Sequence, residues 1–191
     1  MRHKGVRKEE TRQKMIEAVA RGFRCHGYAG IGVDGLAKEA GVTSGAFYSH
    51  LGSKEAAFDT VLAAGLDEVI EGIPVYRKEH GSEWVKAFAE YYLGMQHRTD
   101  LPHSCAMAAL TTEVVRFGSK VHEEYEAKMT QIIDLVAQGL EGDSDEDRHA
   151  RAWAMLGVLI GGVNVARAMN STAAADEVAK AIIEAAVKVA S

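Results

Sequence analysis

The sequence predicts an all-α protein of about nine helices, a three-helix head with a helix-turn-helix followed by a larger helical bundle. Three observations carry this. The 191 residues include only two prolines, are 47% hydrophobic and are rich in alanine, a composition suited to a helical chain. Apolar residues recur at i, i+3, i+4 and i+7 in one segment after another. The stretch from Val33 to Phe58 sets two short helical patterns on either side of Gly41, the layout of a helix-turn-helix.

Taken in order, residues 1–8 carry Arg2, Lys4, Arg7 and Lys8 without apolar periodicity, so an arm outside the packed core is expected. Helix 1 is expected over residues 9–25, with Ile16, Val19, Ala20 and Phe23 as its buried stripe and Gly27 as its stop. Val33, Leu36, Ala37 and Ala40 give helix 2 one apolar face. Gly32 serves as its N-cap, and Gly41 supplies the backbone freedom of the turn. Thr43 or Ser44 caps the third helix, Ser44 to Leu51, through a side-chain oxygen. Gly52 then breaks the chain, and Ser53 caps helix 4.

Helix 4 is expected to run to Gly72, where Gly72-Ile73-Pro74 interrupts or kinks it. Trp84, Val85, Phe88, Tyr91, Tyr92 and Met95 fit helix 5, ended by Arg98-Thr99-Asp100. Ser104 is expected to cap a helix with Ala106, Leu110, Val114 and Val115 on its apolar face. A long helix follows over residues 120–140. After it comes an acidic turn in which Ser144 and Asp147 form a loose capping box. Residues 150–169 are apolar around much of the helix, so that helix must be covered on more than one side. The last helix spans 172–190.

Charge divides the chain. Residues 1–54 hold ten Lys/Arg against five Asp/Glu, and residues 55–191 hold twelve against twenty-two, for a net charge of −5. A basic head on an acidic protein suits a phosphate-bearing partner. No apolar run is long enough for a membrane span, and MRHKGVRKEE lacks the apolar core of a signal peptide. Cys25 and Cys105 lack metal-finger spacing. A reduced, cytoplasmic setting is expected.

The run LAKEAGVTSGAFYSHLGSKEAAF closely resembles the DNA-binding signature of the tetracycline-repressor (TetR) family of bacterial regulators. The likeness covers the helix-turn-helix, the Phe47-Tyr48 pair, the His50 position and the Ser53-Lys54-Glu55 helix start. The chain departs from the family pattern at Gly30 and Gly32 before helix 2, at Gly35 within it, and at Leu51, where Phe is usual. Gly35 costs about 1 kcal/mol of helix propensity relative to Ala, so a less rigid head is expected.

The resemblance implies a DNA-binding domain over residues 1–54 (core 9–52) and a helical regulatory, ligand-binding and dimerisation domain over 55–191. Thr43, Ser44, Gly45 and Ala46 lie at the leading end of the recognition helix, where small side chains admit base edges. Tyr48, Ser49, His50 and Lys54 complete the candidate DNA contacts, with Tyr48 and Lys54 the strongest for phosphate by family analogy. Phe47 reads as core. The partner is a palindromic double-stranded DNA operator, bound by a homodimer formed through residues 150–169 and 172–190. In the family, helix 4 links the DNA-binding part to the rest, and a small effector shifts the spacing of the two heads.

Phe88, Tyr91, Tyr92, Met95, Cys105 and Trp153 are the candidate effector-pocket residues, although each taken singly reads as ordinary core. SCAMAALTTEVVR resembles a cysteine-containing helix start in a branch of the family that includes electrophile-responsive repressors. A helix N-terminus lowers a thiol pKa, which makes Cys105 a candidate for thiol-triggered release. A structural role is the commoner reading of such a cysteine, and a metal site with His97 and His103 is disfavoured because the intervening loop is unconstrained. No nucleophile–base pair or metal box is convincing, so neither an enzyme, a cofactor nor a bound metal is expected. The rival reading is a small-molecule-binding or protein-interaction α-helical bundle without specific DNA binding.

Overall fold

The computed structural model describes the backbone of residues 2–191 and the side chains of residues 9–191. The side chains of Arg2, Lys4, Arg7 and Lys8 in the expected arm therefore lie outside those described. The described residues form ten α-helices and two short 3-10 turns, with no strand, so the all-α reading holds. Packing divides the chain into two compact units, Met1–Gly65 with Leu101–His122, and Leu66–Asp100 with Glu123–Ser191. This division by packing does not follow the functional boundary expected at residue 54: segment 101–122 packs with the head.

In the first unit, α1 spans Arg2–Gly30. It starts earlier than the expected Glu9, since nothing in residues 2–8 forbids helix. Gly27 breaks it as expected, with φ 68° and ψ 169°, but helix resumes on the far side. Helices α2 (Val33–Glu39) and α3 (Ser44–Leu51) lie where the sequence places them. Gly41 takes φ 66° in the turn between them, a conformation that disfavours any residue with a Cβ. Val19, Phe23, Leu36, Phe47, Phe58 and Leu62 are buried in the core. Helix α7 (Ala106–Val114) completes the unit. Its N-cap is Cys105, not Ser104, because the Ser104 hydroxyl donates to the Leu101 carbonyl at 2.8 Å. Val115, expected on the buried face, follows the last turn and is 72% exposed.

Gly35 also has a packing role that helix propensity alone does not show. A Cβ there would meet Ile31 Cγ1 at 2.8 Å, and Ile31 is buried. The missing side chain is the space Ile31 fills, so glycine at this site serves close packing.

Helix α4 runs from Lys54 to His80 with Pro74 inside it, so it does not end at Gly72. A proline inside a helix removes one hydrogen bond and costs about 3 kcal/mol. In the second unit that cost is offset by tertiary contacts on either side of it. Ile73 is buried and the Tyr76 hydroxyl donates to the Ala87 carbonyl at 3.0 Å. Arg77 donates to the carbonyls of Leu135 at 2.9 Å and Gln138 at 3.0 Å. Helix 5 divides at Leu93-Gly94 into α5 (Trp84–Tyr92) and α6 (Met95–Thr99), so Met95 opens a new helix rather than closing the old one. Helix α8 covers Ser119–Ala137, α9 Asp145–Ala168 and α10 Thr172–Ala190. Ser144 caps α9 by accepting from Asp147 N–H at 3.1 Å, as the loose capping box predicts. Among the described residues no helix is long and apolar enough to cross a membrane.

Candidate nucleic-acid interface

The geometry of the head follows from short-range signals. Thr43 sits in extended conformation and accepts the Ala46 N–H at 3.2 Å, which starts α3. Ser53 does the same for α4, accepting the Ala56 N–H at 3.0 Å. Phe47 and Leu51 turn into the core, which leaves Gly45, Tyr48 and Ser49 on the exposed side and Ser44, Ala46 and His50 half-buried beside them. The sequence-predicted contacts from Thr43 to His50 thus share one short helix and its cap.

Each candidate has a distinct chemical state. Ser44 donates its hydroxyl proton to Asp34 Oδ1 at 2.6 Å, which leaves its oxygen as an acceptor. That suits a base amino group better than a phosphate oxygen, which needs a donor. Gly45 and Ala46 present no polar side-chain atom and permit close backbone approach. Tyr48 is 52% exposed, with its ring edge-to-face against buried Phe47 at 5.9 Å. Its phenol is therefore carried on an apolar anchor. His50 buries its Nδ1 atom, so part of its polarity faces inward.

Lys54 is held differently. Its Nζ lies 4.3 Å from the centroid of the Tyr28 ring, a cation–π geometry. Burial, together with the nearby carboxylates of Glu55 and Asp59, pushes the Tyr28 phenol above its ordinary pKa, so the ring stays neutral beneath the ammonium. Tyr28 and Asp34 are the site residues that sequence reasoning missed. The family resemblance implies for Tyr28 only packing against the hairpin. Asp34, an acid in the first turn of α2, is a visible dipole partner, but nothing in the sequence pairs it with Ser44.

The candidate effector residues are distributed less coherently. Phe88 and Tyr92 are buried and 5.7 Å apart, in a ring cluster with Tyr76, Tyr91 and His97. Tyr91, at the edge of that cluster, and Met95 are exposed. Trp153 is 49% exposed on the face of α9 that also carries Val165. Cys105 is half-buried at the start of α7 in the other unit. The described residues contain no group of three or more His, Cys, Asp or Glu side chains able to hold a metal ion.

Residues 15–61 match the family model for bacterial regulatory proteins of the tetR family. The search of curated proteins found no match. Solved structures do match the fold. A TetR-family regulator from Cytophaga hutchinsonii superposes with a TM-score of 0.77 at 17% identity, over 95% of this chain and 96% of that one. A TetR-family regulator from Streptomyces coelicolor gives 0.77 at 19% identity, over 95% and 94%. Escherichia coli NemR in its reduced form gives 0.73 at 17%, over 92% and 97%.

Proposed function

From the match of residues 15–61 to the family model for tetR-family regulatory proteins, we propose that the chain is a ligand-responsive transcriptional repressor that binds a palindromic DNA operator as a homodimer. The observation that carries the reading is the exposed edge of α3. Small residues lead it, Tyr48 projects from it, and Lys54 flanks it on a helix whose cap is formed by Ser53. Small side chains admit the helix to the major groove, while Tyr48 and Lys54 supply the phosphate contacts that set register. Residues 1–54 form the DNA-binding domain, and residues 55–191 bind the effector and form the dimer. The protein acts in the cytoplasm, without catalysis.

Dimerisation through α9 and α10 is supported on the α9 side by an apolar face that has no partner among the described residues. Trp153 and Val165, 50% exposed, lie on it, and a Cβ at Gly157 or Gly161 would meet nothing within 4 Å. A contiguous apolar face of this kind marks an interface. A two-fold axis through it gives the two heads that a palindrome requires. The released state is favoured by a small effector or by modification of the Cys105 thiol. Any effector preferring that state weakens operator affinity by the factor by which the operator weakens its own binding.

Selection of binding sites from a random duplex library tests the reading. A recovered inverted repeat bound by two protomers is expected. Recovery of no sequence above background, with affinity indifferent to salt, would return the chain to the class of binding bundles without DNA specificity.

A further inference from the structure

The stretch from the last turn of α7 onward to His122 belongs to the same compact unit as the helix-turn-helix, although the candidate DNA contacts make no use of it. Three attachments hold it there. Glu113 lies against the kink of α1, where a Cβ on Gly27 would meet its Oε1 at 2.7 Å. Phe117 stacks on Phe58 with centroids 4.4 Å apart and planes at 10°, and meets Tyr28 at 4.7 Å and 70°. Lys120 reaches Asp59 at 3.4 Å, an exposed pair of small worth. Phe117 is itself held in a turn, with its N–H donating to the Val114 carbonyl at 2.9 Å.

These contacts converge on Tyr28. Its ring is packed by Phe23, Phe58 and Phe117, and the Lys54 ammonium lies over it at 4.3 Å. A cation near an aromatic face is held by the ring quadrupole, so its preferred position follows the ring. We propose that Phe117 is a positioning residue for DNA binding: packed on Tyr28 and Phe58, it fixes the ring over which Lys54 is held, and so where that ammonium meets a phosphate. The proposal rests on the reading of Lys54 as a phosphate contact. It makes the loop between α7 and α8 part of the reading head, so a displacement of that loop reaches Lys54 through two ring contacts.

Two measurements test it, one of them without DNA. In the protein alone, the Lys54 ε-methylene proton resonances carry the ring-current shift of Tyr28. Phe117→Leu, which keeps apolar volume and loses the ring, is expected to move them toward unshifted values. Phe117→Tyr is expected to leave them in place. Unmoved resonances in a folded Phe117→Leu protein overturn the proposal. On a duplex carrying the selected site, Phe117→Leu is expected to weaken binding about five-fold, because the Lys54 ammonium is then no longer held in one position against its phosphate. In a Lys54→Met background the same change is expected to cost less than about two-fold. Equal losses in both backgrounds mean a merely structural role and also overturn it. If the resonances move but Lys54→Met binds as tightly as the parent, the phosphate reading of Lys54 has failed rather than the link from Phe117 to Lys54.

Discussion

Ser44 Oγ and Asp34 Oδ1 are 2.6 Å apart and join the first residue of α3 to the first turn of α2. The bond sets the angle between the two helices of the motif from their exposed side, while Leu36 and Phe47 set it from the core. It also uses the Ser44 proton. Ser44→Ala is expected to lower unfolding free energy by about 0.5–1 kcal/mol, below the usual range for a hydrogen bond to a charged group because the pair is exposed. Asp34→Asn, which keeps an acceptor and removes a charge from the DNA-facing side, is expected to tighten DNA binding at low salt. Denaturant titration and anisotropy at two salt concentrations check the pair. Weaker binding by Asp34→Asn with unchanged stability would show that the carboxylate serves DNA directly.

Tyr48→Ala combined with Lys54→Ala is expected to abolish operator binding while leaving a folded dimer. Lys54→Ala alone is expected to reduce the slope of log affinity against log salt by about 1, the release of roughly one counterion. Mobility shift at fixed salt and sedimentation of the same samples separate the two effects. An unchanged affinity in the double variant would remove both residues from the interface.

Gly35→Ala sets propensity against packing. In an open helix the change stabilises by up to about 1 kcal/mol. Here the new Cβ would fall 2.8 Å from Ile31 Cγ1, near the branch of a buried side chain with little room to yield. A net loss of about 1 kcal/mol is expected. A rise in the thermal midpoint would show that Ile31 moves at little cost.

Two histidines are expected to give stability opposite pH slopes. His97 is held below its ordinary pKa by burial and by the Arg167 charge, against the pull of Asp100. The unfolded chain then takes up a proton that the fold refuses, so stability falls as pH drops below about 6.5. His149 is raised by its hydrogen bond to Asp134 at 2.8 Å and by the carbonyl of Asp145. Both ring nitrogens face acceptors, which favours the imidazolium. Its contribution is present below about 6.5 and is lost as pH rises through the elevated value. His149→Gln should therefore lose stability relative to the parent at about pH 5.5 and little at about pH 8. His97→Gln should flatten the acid side. Parallel urea titrations at both pH values read this, and equal differences at the two would contradict it.

Within the head, the sequence by itself determined the elements from Val33 to Leu51. Every signal there acts over a few residues: a cap at Thr43, a left-handed glycine at Gly41, and apolar positions three and four apart. Phe47 reads as core in the sequence, whereas Tyr48 reads as a surface contact only through the family resemblance. Only the tertiary structure decided the features whose energies come from distant partners. Helix α4 passes Pro74 because Tyr76 and Arg77 find carbonyls elsewhere in the fold, which no local window contains. Ser104 loses the cap of α7 because Leu101 offers its hydroxyl a carbonyl. Lys54 meets a ring from α1, and that ring meets Phe117 from the loop after α7. Helix and turn preferences are summed residue by residue along the chain, whereas ring packing and side-chain hydrogen bonds depend on which segments fold against one another.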